Sequence, residues 1–306
     1  CKSLLTVNAG RIYMNECGVF VSKNVVWDRP IVFCFHHAGG NAHVFQKWKS
    51  NKVSFIPIEL PGHGSRSRET AVCDIEILAS DIAQSIAKLI HTYSAKAGIC
   101  MGEDKRLLKS GDACLPRQNE MPNSGIRFSL FGHSLGAILA YTVTLCLLDD
   151  YGLAPDCLIV AGRQAPCDED PSPYRTSMGK DALADELRSL GHTPTELLDN
   201  DEYREFLLSM IYNDYLLGES YHGTRRVLPI PIHAFCADSD RDAGDTVMSR
   251  WKLVTSKDFK LTRMNGDHFF IFDERLNFHK LIESTVLEAS EKSNLHQDAE
   301  YESGCL

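Results

Sequence analysis

Two hydrophobic patterns alternate along the chain. Short segments that are apolar throughout predict strands covered on both faces, as in a parallel sheet. Between them, apolar residues recur at helical spacing over Ile75–Ile90 and Leu276–Leu287, with a further helix expected near 244–255. This alternation predicts an α/β fold with a mostly parallel central sheet and helices on both faces. The predicted strands are Ile31–Phe35, Val53–Ile58, Phe128–Phe131, Cys157–Ala161, Pro229–Phe235 and Phe259–Met264.

The segments around these elements define the predicted domain organisation. Residues 30–287 form one domain, preceded by an edge hairpin or loose lead-in at 1–29 and followed by a polar tail at 288–306. Ser, Gly, Lys, Asn and Pro dominate residues 94–125, which predicts a disordered surface insertion. Residues 166–225 have helical periodicity and no strand-like run, so we expect a helical lid over a pocket at the sheet edge.

One apolar stretch is long enough to suggest a membrane span. From Phe128 to Leu148 the chain has no Asp, Glu, Lys or Arg. Gly132, Ser134 and Gly136 interrupt the first half of this stretch and break the continuous apolar helix that a span requires. We therefore favour a buried strand, a turn and a buried helix over stable membrane insertion.

Composition argues against several classes of protein. A net charge of −9 disfavours nucleic-acid binding, which needs a basic surface. The 11 cysteines include no Cys-x-x-Cys pair, and the sequence contains no Asn-x-Ser/Thr site and no visible signal peptide. We therefore expect a reducing, cytoplasmic environment. Because the sequence begins at Cys1 rather than Met, a targeting segment could be missing upstream.

A motif with catalytic character follows the third predicted strand. Gly132-His133-Ser134-Leu135-Gly136 lies between this strand and a helix-forming run rich in Ala and Leu. Gly-x-Ser-x-Gly in this position is typical of the nucleophile elbow of α/β-hydrolases, a tight turn that lifts a serine hydroxyl out of the sheet. The two glycines provide the lack of bulk that such a turn needs. The motif predicts Ser134 as a nucleophile at a helix N-terminus, where backbone N–H groups can stabilise an oxyanion.

A glycine-rich turn follows the first predicted strand, at His36-His37-Ala38-Gly39-Gly40. Hydrolases of this fold place their second oxyanion donor in such a turn, so we predict that role for the backbone N–H of Ala38. The adjacent histidines could instead suggest a metal site. No third ligand has a fitting spacing nearby, so we interpret His36 and His37 as turn residues near the active site and expect no metal.

A serine nucleophile needs a histidine to accept its proton and a carboxylate to orient that histidine. In α/β-hydrolases the three follow in the order Ser, Asp, His, from loops after successive strands. His268 lies in a Gly-containing loop after the last predicted strand, which makes it the predicted base. The loop after the preceding strand offers two acids, Asp238 and Asp240, and spacing alone leaves that choice open.

Five motifs carry a family resemblance that is more specific than the elbow alone. They are Phe33-Cys34-Phe35-His36-His37-Ala38-Gly39-Gly40, Glu59-Leu60-Pro61-Gly62-His63-Gly64-Ser65-Arg66, Phe131-Gly132-His133-Ser134-Leu135-Gly136-Ala137, Leu190-Gly191-His192-Thr193-Pro194 and Gly266-Asp267-His268-Phe269-Phe270. Together they resemble type II thioesterases, the stand-alone enzymes that serve polyketide, nonribosomal-peptide and fatty-acid synthases. The family's acid loop reads Phe-x-Gly-x-x-Asp. Ala237 occupies its glycine position, so the resemblance implies Asp240 as the acid, with the backbone N–H groups of Ala38 and Leu135 as oxyanion donors.

The resemblance implies hydrolysis of acyl thioesters without a bound cofactor. The expected substrate is an acyl group on the phosphopantetheine arm of an acyl carrier protein, with acyl-CoA as a surrogate, and we expect a monomer. Carrier proteins are acidic and so is this chain, so docking should use a local basic spot. Arg225-Arg226, after the lid, is the predicted spot. A carboxylester hydrolase or lipase with the same triad is the main alternative; a non-catalytic binding protein on a hydrolase fold is a further one.

Three features depart from the family pattern. Family lids often carry Arg-Ala-Asp, where this chain has Tyr212-Asn213-Asp214-Tyr215. His63 replaces a common arginine in the Pro-Gly-Arg turn, and the 94–125 insertion is atypical. The lid and turn differences bear on acyl-chain and partner preference and leave the expected chemistry unchanged.

Overall fold

A computed structural model describes residues 5–8, 11–14, 19–20, 26–97 and 125–303. Its strands are β1 (Leu5–Asn8), β2 (Arg11–Met14), β3 (Ile31–Phe35), β4 (Ser54–Pro57), β5 (Phe128–His133), β6 (Leu158–Ala161), β7 (Ile232–Ala237) and β8 (Phe259–Met264). Its helices are α1 (Ile75–Ala97), α2 (Leu135–Tyr151), α3 (Gly179–Leu190), α4 (Thr195–Asp199), α5 (Asp201–Glu219), α6 (Asp245–Met248) and α7 (Phe278–Ser303).

The central sheet contains six strands in the order β4-β3-β5-β6-β7-β8, and every neighbouring pair is parallel. Successive residues of a strand face opposite sides of a sheet. Phe33 accordingly packs in a cluster with residues of α1 and α2, whereas Val32 and Cys34 pack in a second cluster with residues of α7. Both faces are covered, which explains the continuous apolar runs, and the predicted α/β fold is confirmed.

The stretch considered as a possible membrane span is divided between two elements. Phe128–His133 forms β5, and Leu135–Tyr151 forms α2, which packs against the sheet and α1. The prediction of a buried strand, a turn and a buried helix is therefore confirmed. Among the residues that the structure describes, no helix is both long and apolar enough to cross a membrane.

The segment predicted as a helical lid, residues 166–225, contains α3, α4 and α5 between β6 and β7. We refer to these residues as the lid segment. It has an apolar cluster of its own, so most of its leucines pack within the segment. The members of that cluster are Tyr174, Leu183, Ala184, Leu187, Leu198, Leu208 and Ile211.

Several predicted boundaries differ from the observed ones. Helix α1 continues to Ala97, so the first residues of the predicted insertion at 94–125 are helical, and residues 98–124 lie outside the described residues. The helix predicted near 244–255 is divided into α6 and a 3-10 helix over Ser249–Val254.

The two ends of the chain also differ from simple expectation. Strands β1 and β2 pair antiparallel and form a separate two-stranded sheet rather than an edge of the central one. Helix α7 continues to Ser303, through most of the segment predicted as a polar tail at 288–306. Ser290 is buried in this helix, and its Oγ donates a hydrogen bond to Asp156 Oδ2 at 2.8 Å, which holds α7 against the loop before β6.

Candidate active site

Ser134 occupies the turn between β5 and α2 with φ 55° and ψ −121°. A non-glycine residue with positive φ is strained by about 1–3 kcal/mol and persists only where the surrounding structure imposes it. Here the flanking backbones are in close contact. A Cβ on Gly132 would lie 2.0 Å from Gly136 O, and one on Gly136 would lie 2.3 Å from Phe35 O. The elbow predicted from sequence is therefore present, and only glycine fits at both flanking positions.

Asp240 and His268 form a hydrogen-bonded pair beside this turn. His268 Nδ1 donates to Asp240 Oδ2 at 2.9 Å, and the Asp240 side chain is only 1% exposed. The second carboxylate oxygen, Oδ1, accepts the backbone N–H groups of Asp242 at 3.1 Å and Ala243 at 3.0 Å. Because a carboxylate only accepts, Nδ1 of His268 carries a proton and Nε2 is left for proton exchange.

The charge state of Asp240 follows from its surroundings. Burial on its own raises the pKa of a carboxyl group. The hydrogen bond and charge of His268, together with the amides of Ala243 and Asp242, outweigh burial and hold the Asp240 pKa below its usual value. Asp240 is therefore an ionised acceptor for the His268 ring at neutral pH.

Asp238, the alternative acid, lies on the surface and does not contact the His268 ring. Its Oδ1 accepts the backbone N–H of Gly266 at 3.0 Å and the hydroxyl of Ser239 at 3.1 Å. Gly266 O in turn accepts the N–H of Ser239 at 2.9 Å. Asp238 thus joins the loop after β7 to the loop that carries His268, whereas Asp240 is the acid that the structure brings to the histidine.

His133 holds the backbone of the His268 loop through a hydrogen bond that was not predicted from the sequence. Its Nε2 donates to the backbone oxygen of His268 at 2.8 Å. Burial, followed by the charges of His268 and His37, holds the His133 pKa well below its usual value, so the ring is neutral. The only signal in the sequence is a histidine at the variable position of Gly-x-Ser-x-Gly, which does not by itself indicate a partner.

The two histidines of the glycine-rich turn are neutral, His36 being buried and His37 half-buried. His36 Nδ1 donates to His37 O at 2.8 Å, and burial is the main cause that lowers its pKa to about 4. The His37 ring packs edge-on against Phe269 and Phe272, and burial lowers its pKa to about 3. Within the part of the chain that the structure describes, no three His, Cys, Asp or Glu side chains are grouped as a metal site.

The lid segment contacts this turn directly. Asp214 of α5 accepts the backbone N–H of Gly39 through Oδ2 at 2.6 Å and contacts His63 Nε2 through Oδ1 at 3.0 Å. Both side chains are almost fully buried, with 5% of Asp214 and 2% of His63 exposed. His63, which replaces the common arginine of the turn, therefore contacts the acid of the lid motif whose first two residues differ from the family pattern.

The predicted site residues surround one cavity of about 760 Å³. The core contributes Ser134, Leu135, Ala38, Asp240 and His268, and the lid segment contributes several tyrosines and Leu190. Leu135 is the first residue of α2, where backbone N–H groups have no partner within the helix. The tyrosines that line the cavity are Tyr174, Tyr215 and Tyr221.

The predicted docking arginines differ from each other. Both Arg225 and Arg226 are exposed. Arg226 forms a two-pronged ion pair with Asp149 of α2, so its charge is partly neutralised. Among the described residues Arg225 forms no ion pair of this kind, and its charge acts on Asp168 without a hydrogen bond.

The chain matches a family model and individual known proteins. The model of the thioesterase domain family matches residues 30–94 and 118–285, and the unmatched residues between them lie within the predicted insertion. Linear gramicidin dehydrogenase LgrE from Brevibacillus parabrevis is 26% identical over 263 residues, which is 84% of this chain and 87% of that protein. Thioesterase PikA5 from Streptomyces venezuelae is 27% identical over 245 residues, which is 79% of this chain and 75% of that protein.

A solved structure agrees with these relatives. RedJ, a thioesterase from the prodiginine biosynthetic pathway in Streptomyces coelicolor, is similar with a TM-score of 0.65 and 25% identity, covering 83% of this chain and 89% of RedJ. The resemblance to thioesterases predicted from the motifs is confirmed. The family model matches most of this chain, and the matched residues include the elbow and the loops of Asp240 and His268. This chain therefore belongs to the thioesterase domain family.

Proposed function

We propose that this chain is a type II, serine-dependent thioesterase that hydrolyses acyl groups from the phosphopantetheine arm of an acyl carrier protein, with acyl-CoA as a simpler substrate. The observation that carries the proposal is that Ser134, His268 and Asp240 meet at one cavity in a chain of the thioesterase family. The names of PikA5 and RedJ, both thioesterases, support a thioester rather than an oxygen ester as the substrate.

In the first half of the reaction, Ser134 becomes acylated. His268 Nε2 takes the proton of the Ser134 hydroxyl while Oγ attacks the thioester carbonyl carbon. The negative charge that develops on the carbonyl oxygen is stabilised by the N–H groups of Ala38 and Leu135. The carbon–sulfur bond then breaks, the sulfur takes the proton from His268, and the thiol leaves with the acyl group bound to Ser134.

In the second half, water releases the acid. His268 Nε2 removes a proton from a water molecule, whose oxygen attacks the acyl carbon on Ser134. The same two backbone N–H groups stabilise the second oxyanion. When the intermediate collapses, Ser134 Oγ leaves and regains its proton from His268, and the product is a carboxylic acid. Asp240 stays ionised throughout and stabilises the imidazolium form of His268.

Hydrolysis of matched thioesters and esters tests this proposal. Octanoyl-CoA and p-nitrophenyl octanoate present the same acyl chain to Ser134 with different leaving groups. We expect a higher kcat/KM for octanoyl-CoA and loss of both activities in Ser134→Ala. A preference for the ester would support a carboxylester hydrolase on the same fold, and failure of a fluorophosphonate to label Ser134 would support a non-catalytic binding protein.

Release from loaded carrier proteins tests the substrate class more closely. Carrier proteins bearing acetyl, octanoyl and palmitoyl groups would define the acyl chain that the cavity of about 760 Å³ prefers. If the carrier docks at Arg225, Arg225→Glu should raise KM for the carrier-bound substrate and leave KM for octanoyl-CoA unchanged. Arg275→Glu, at an exposed position paired with Asp273, is the matched control. Equal effects of both changes would exclude Arg225 as the docking position.

A further inference from the structure

The glycine-rich turn that contains Ala38 is attached to the lid segment through one carboxylate. Asp214 Oδ2 lies 2.6 Å from the backbone N of Gly39, the residue directly after Ala38. Hydrogen bonds from backbone N–H to a carboxylate are shorter and stronger than neutral ones. The Gly39 N–H lies in the peptide plane that begins at the Ala38 carbonyl, so holding it restricts the rotation of Ala38 and thereby the direction of the neighbouring Ala38 N–H.

The Asp214 carboxylate is itself held by a buried cation. His63 Nε2 lies 3.0 Å from Asp214 Oδ1, and His63 Nδ1 lies 2.8 Å from the carbonyl oxygen of Gly40. Carboxylate and carbonyl oxygens only accept, so the ring satisfies both contacts only when both nitrogens carry protons. His63 is therefore an imidazolium in this arrangement, bridging the lid segment and the turn.

Other groups around His63 agree with a cation at this position. Glu59 adds negative charge nearby and accepts the N–H groups of Ala42 at 3.0 Å and Ser65 at 3.2 Å. The His36 ring lies 5.2 Å from the His63 ring and stays neutral, since burial and the His63 charge both lower its pKa.

The Cys73 thiol is near enough to Asp214 for the charge of that carboxylate to act on it. Burial and the charge of Asp214 both raise the pKa of the Cys73 thiol, which keeps it uncharged. Asp214 and Glu59 are thus the negative groups that act on His63, and the His36 ring beside it is neutral.

We propose that Asp214 is a positioning residue for oxyanion stabilisation, that it acts through Gly39 on the N–H of Ala38, and that protonated His63 holds it in place. The proposal rests on the proposed function for its reaction. Its consequence is that α5 and the oxyanion turn form one unit. When α5 leaves the core, the turn loses the contact that orients Ala38, so a displaced lid lowers catalysis even with Ser134, His268 and Asp240 intact.

The arrangement predicts a particular pH dependence. Although burial lowers the pKa of His63, the hydrogen bond and charge of Asp214, with Gly40 and Glu59, outweigh it and raise that pKa above its usual value. A raised histidine pKa means that the contact is complete below about pH 6.5 and is lost as pH rises through the folded-state pKa. The kcat profile should therefore have an alkaline limb that depends on His63.

The test compares Asp214→Asn with a change on the same helix. Asp214→Asn keeps the shape of the side chain and removes its charge, so we expect kcat to fall about 10- to 100-fold with KM changed less than about threefold. Glu205→Gln removes an exposed α5 carboxylate that pairs with Lys180 and should leave kcat unchanged. A kcat for Asp214→Asn within threefold of the wild-type value contradicts the proposal. So does a loss of kcat that is fully accounted for by the unfolded fraction of the variant.

His63→Arg provides rescue by a charge that does not titrate. We expect it to retain activity and to lose the alkaline limb, whereas His63→Gln should resemble Asp214→Asn at every pH. If His63→Arg does not fold, the Gln variant decides: an unchanged alkaline limb in His63→Gln overturns the role of His63.

Labelling of Ser134 by a fluorophosphonate separates this proposal from the proposed function, because labelling needs the oxyanion donors and no thioester. Slow labelling of Asp214→Asn beside rapid labelling of the wild type supports the positioning role even if no thioester is hydrolysed. Equal labelling rates overturn it even if thioesterase activity is found. A wild-type protein that is not labelled at all contradicts both proposals.

Discussion

At the scale of single residues, the site depends on which acceptor faces each ring nitrogen. The Nδ1 of His268 faces a buried carboxylate, so Nε2 is the nitrogen left to exchange a proton with Ser134 in the proposed reaction. The Nε2 of His133 donates to the carbonyl oxygen of His268 and holds the backbone of that loop in place. These hydrogen bonds orient the proposed base from its ring and from its backbone.

Changing either acid of the loop after β7 tests the assignment of Asp240. In Asp240→Asn the amide can present an N–H to His268 and favour the wrong tautomer, so kcat at neutral pH should fall by about 10⁴. Asp238→Asn keeps an oxygen that can accept the Gly266 N–H, so we expect less than about a tenfold loss. Steady-state kinetics with octanoyl-CoA measures both. A larger loss in Asp238→Asn would reverse the assignment.

The sequence alone predicts Ser134 as nucleophile and His268 as base, because the elbow and the last loop have recognisable local patterns, and both residues line one cavity. It left Asp238 and Asp240 open, since both lie in one loop, and only the resemblance favoured Asp240. The contact of His133 with the His268 backbone could not be predicted, because a carbonyl acceptor 135 residues away leaves no pattern in the sequence.

At the scale of elements, strands and the elbow were better predicted than helix ends. The strand over Ile31–Phe35 and that over Phe259–Met264 have the predicted bounds. Helix α7 was underestimated because its later turns are polar and are anchored by tertiary contacts. Arg127 donates to the backbone oxygen of Ser290 at 3.1 Å, and Ser290 donates to Asp156. Hydrophobic periodicity contains no information on such contacts.

The elbow predicts a large cost for the smallest possible change at Gly136. In Gly136→Ala the new methyl group would lie 2.3 Å from Phe35 O, so β3 or α2 must move. We expect the free energy of unfolding to fall by about 1–3 kcal/mol, measured by urea denaturation, with slower labelling of Ser134.

The matched control for this change is Gly218→Ala in α5. Its new methyl group would make an ordinary contact of 3.4 Å with Leu135. Because alanine favours helices more than glycine does, its stability should be equal or higher. The account of the elbow fails if Gly136→Ala is as stable as Gly218→Ala.

At the scale of the whole molecule, buried histidines predict how stability responds to acid. Burial is the main cause that lowers the pKa of His36 to about 4, His37 to about 3 and His233 to about 4, and it places that of His133 well below the usual value. Below about pH 6.5 the unfolded chain takes up protons that the folded chain does not. Each group then lowers stability by up to about 1.4 kcal/mol per pH unit.

Urea denaturation between pH 7 and pH 4.5 measures this effect. The pKa of His63 is raised, and burial raises the pKa of Asp156 to about 6. Both groups therefore increase stability as the pH falls. Because the histidines with a lowered pKa outnumber these two groups, we expect a net fall in the free energy of unfolding as the pH is lowered over this range. His233→Gln, remote from the cavity, should make the slope shallower. A free energy of unfolding that is constant or rises toward pH 4.5 contradicts the neutral, buried state of these rings.

The architecture of the whole molecule was predictable, and its long-range couplings were not. Alternating strands and helices predict a site at the carboxyl ends of parallel strands, and the cavity there is lined by Ser134, Asp240 and His268 together with residues of the lid segment. The pairing of His63 with Asp214 joins positions 151 residues apart. In the sequence, His63 was one departure from the family pattern and Asp214 was the acid of an altered lid motif, and only the fold shows that they are partners.

The proposed mechanism requires that Ser134 carries the acyl group as a covalent intermediate. Rapid mixing with octanoyl-CoA, an acid quench and mass spectrometry of the digested protein test it most directly. We predict an octanoyl adduct on the peptide that contains Ser134. The adduct should form faster than octanoic acid is released, or should accumulate when release is slowed. In Ser134→Ala both the adduct and turnover should be absent. Hydrolysis that persists in a folded Ser134→Ala variant, or an adduct on a different residue, would contradict the claim.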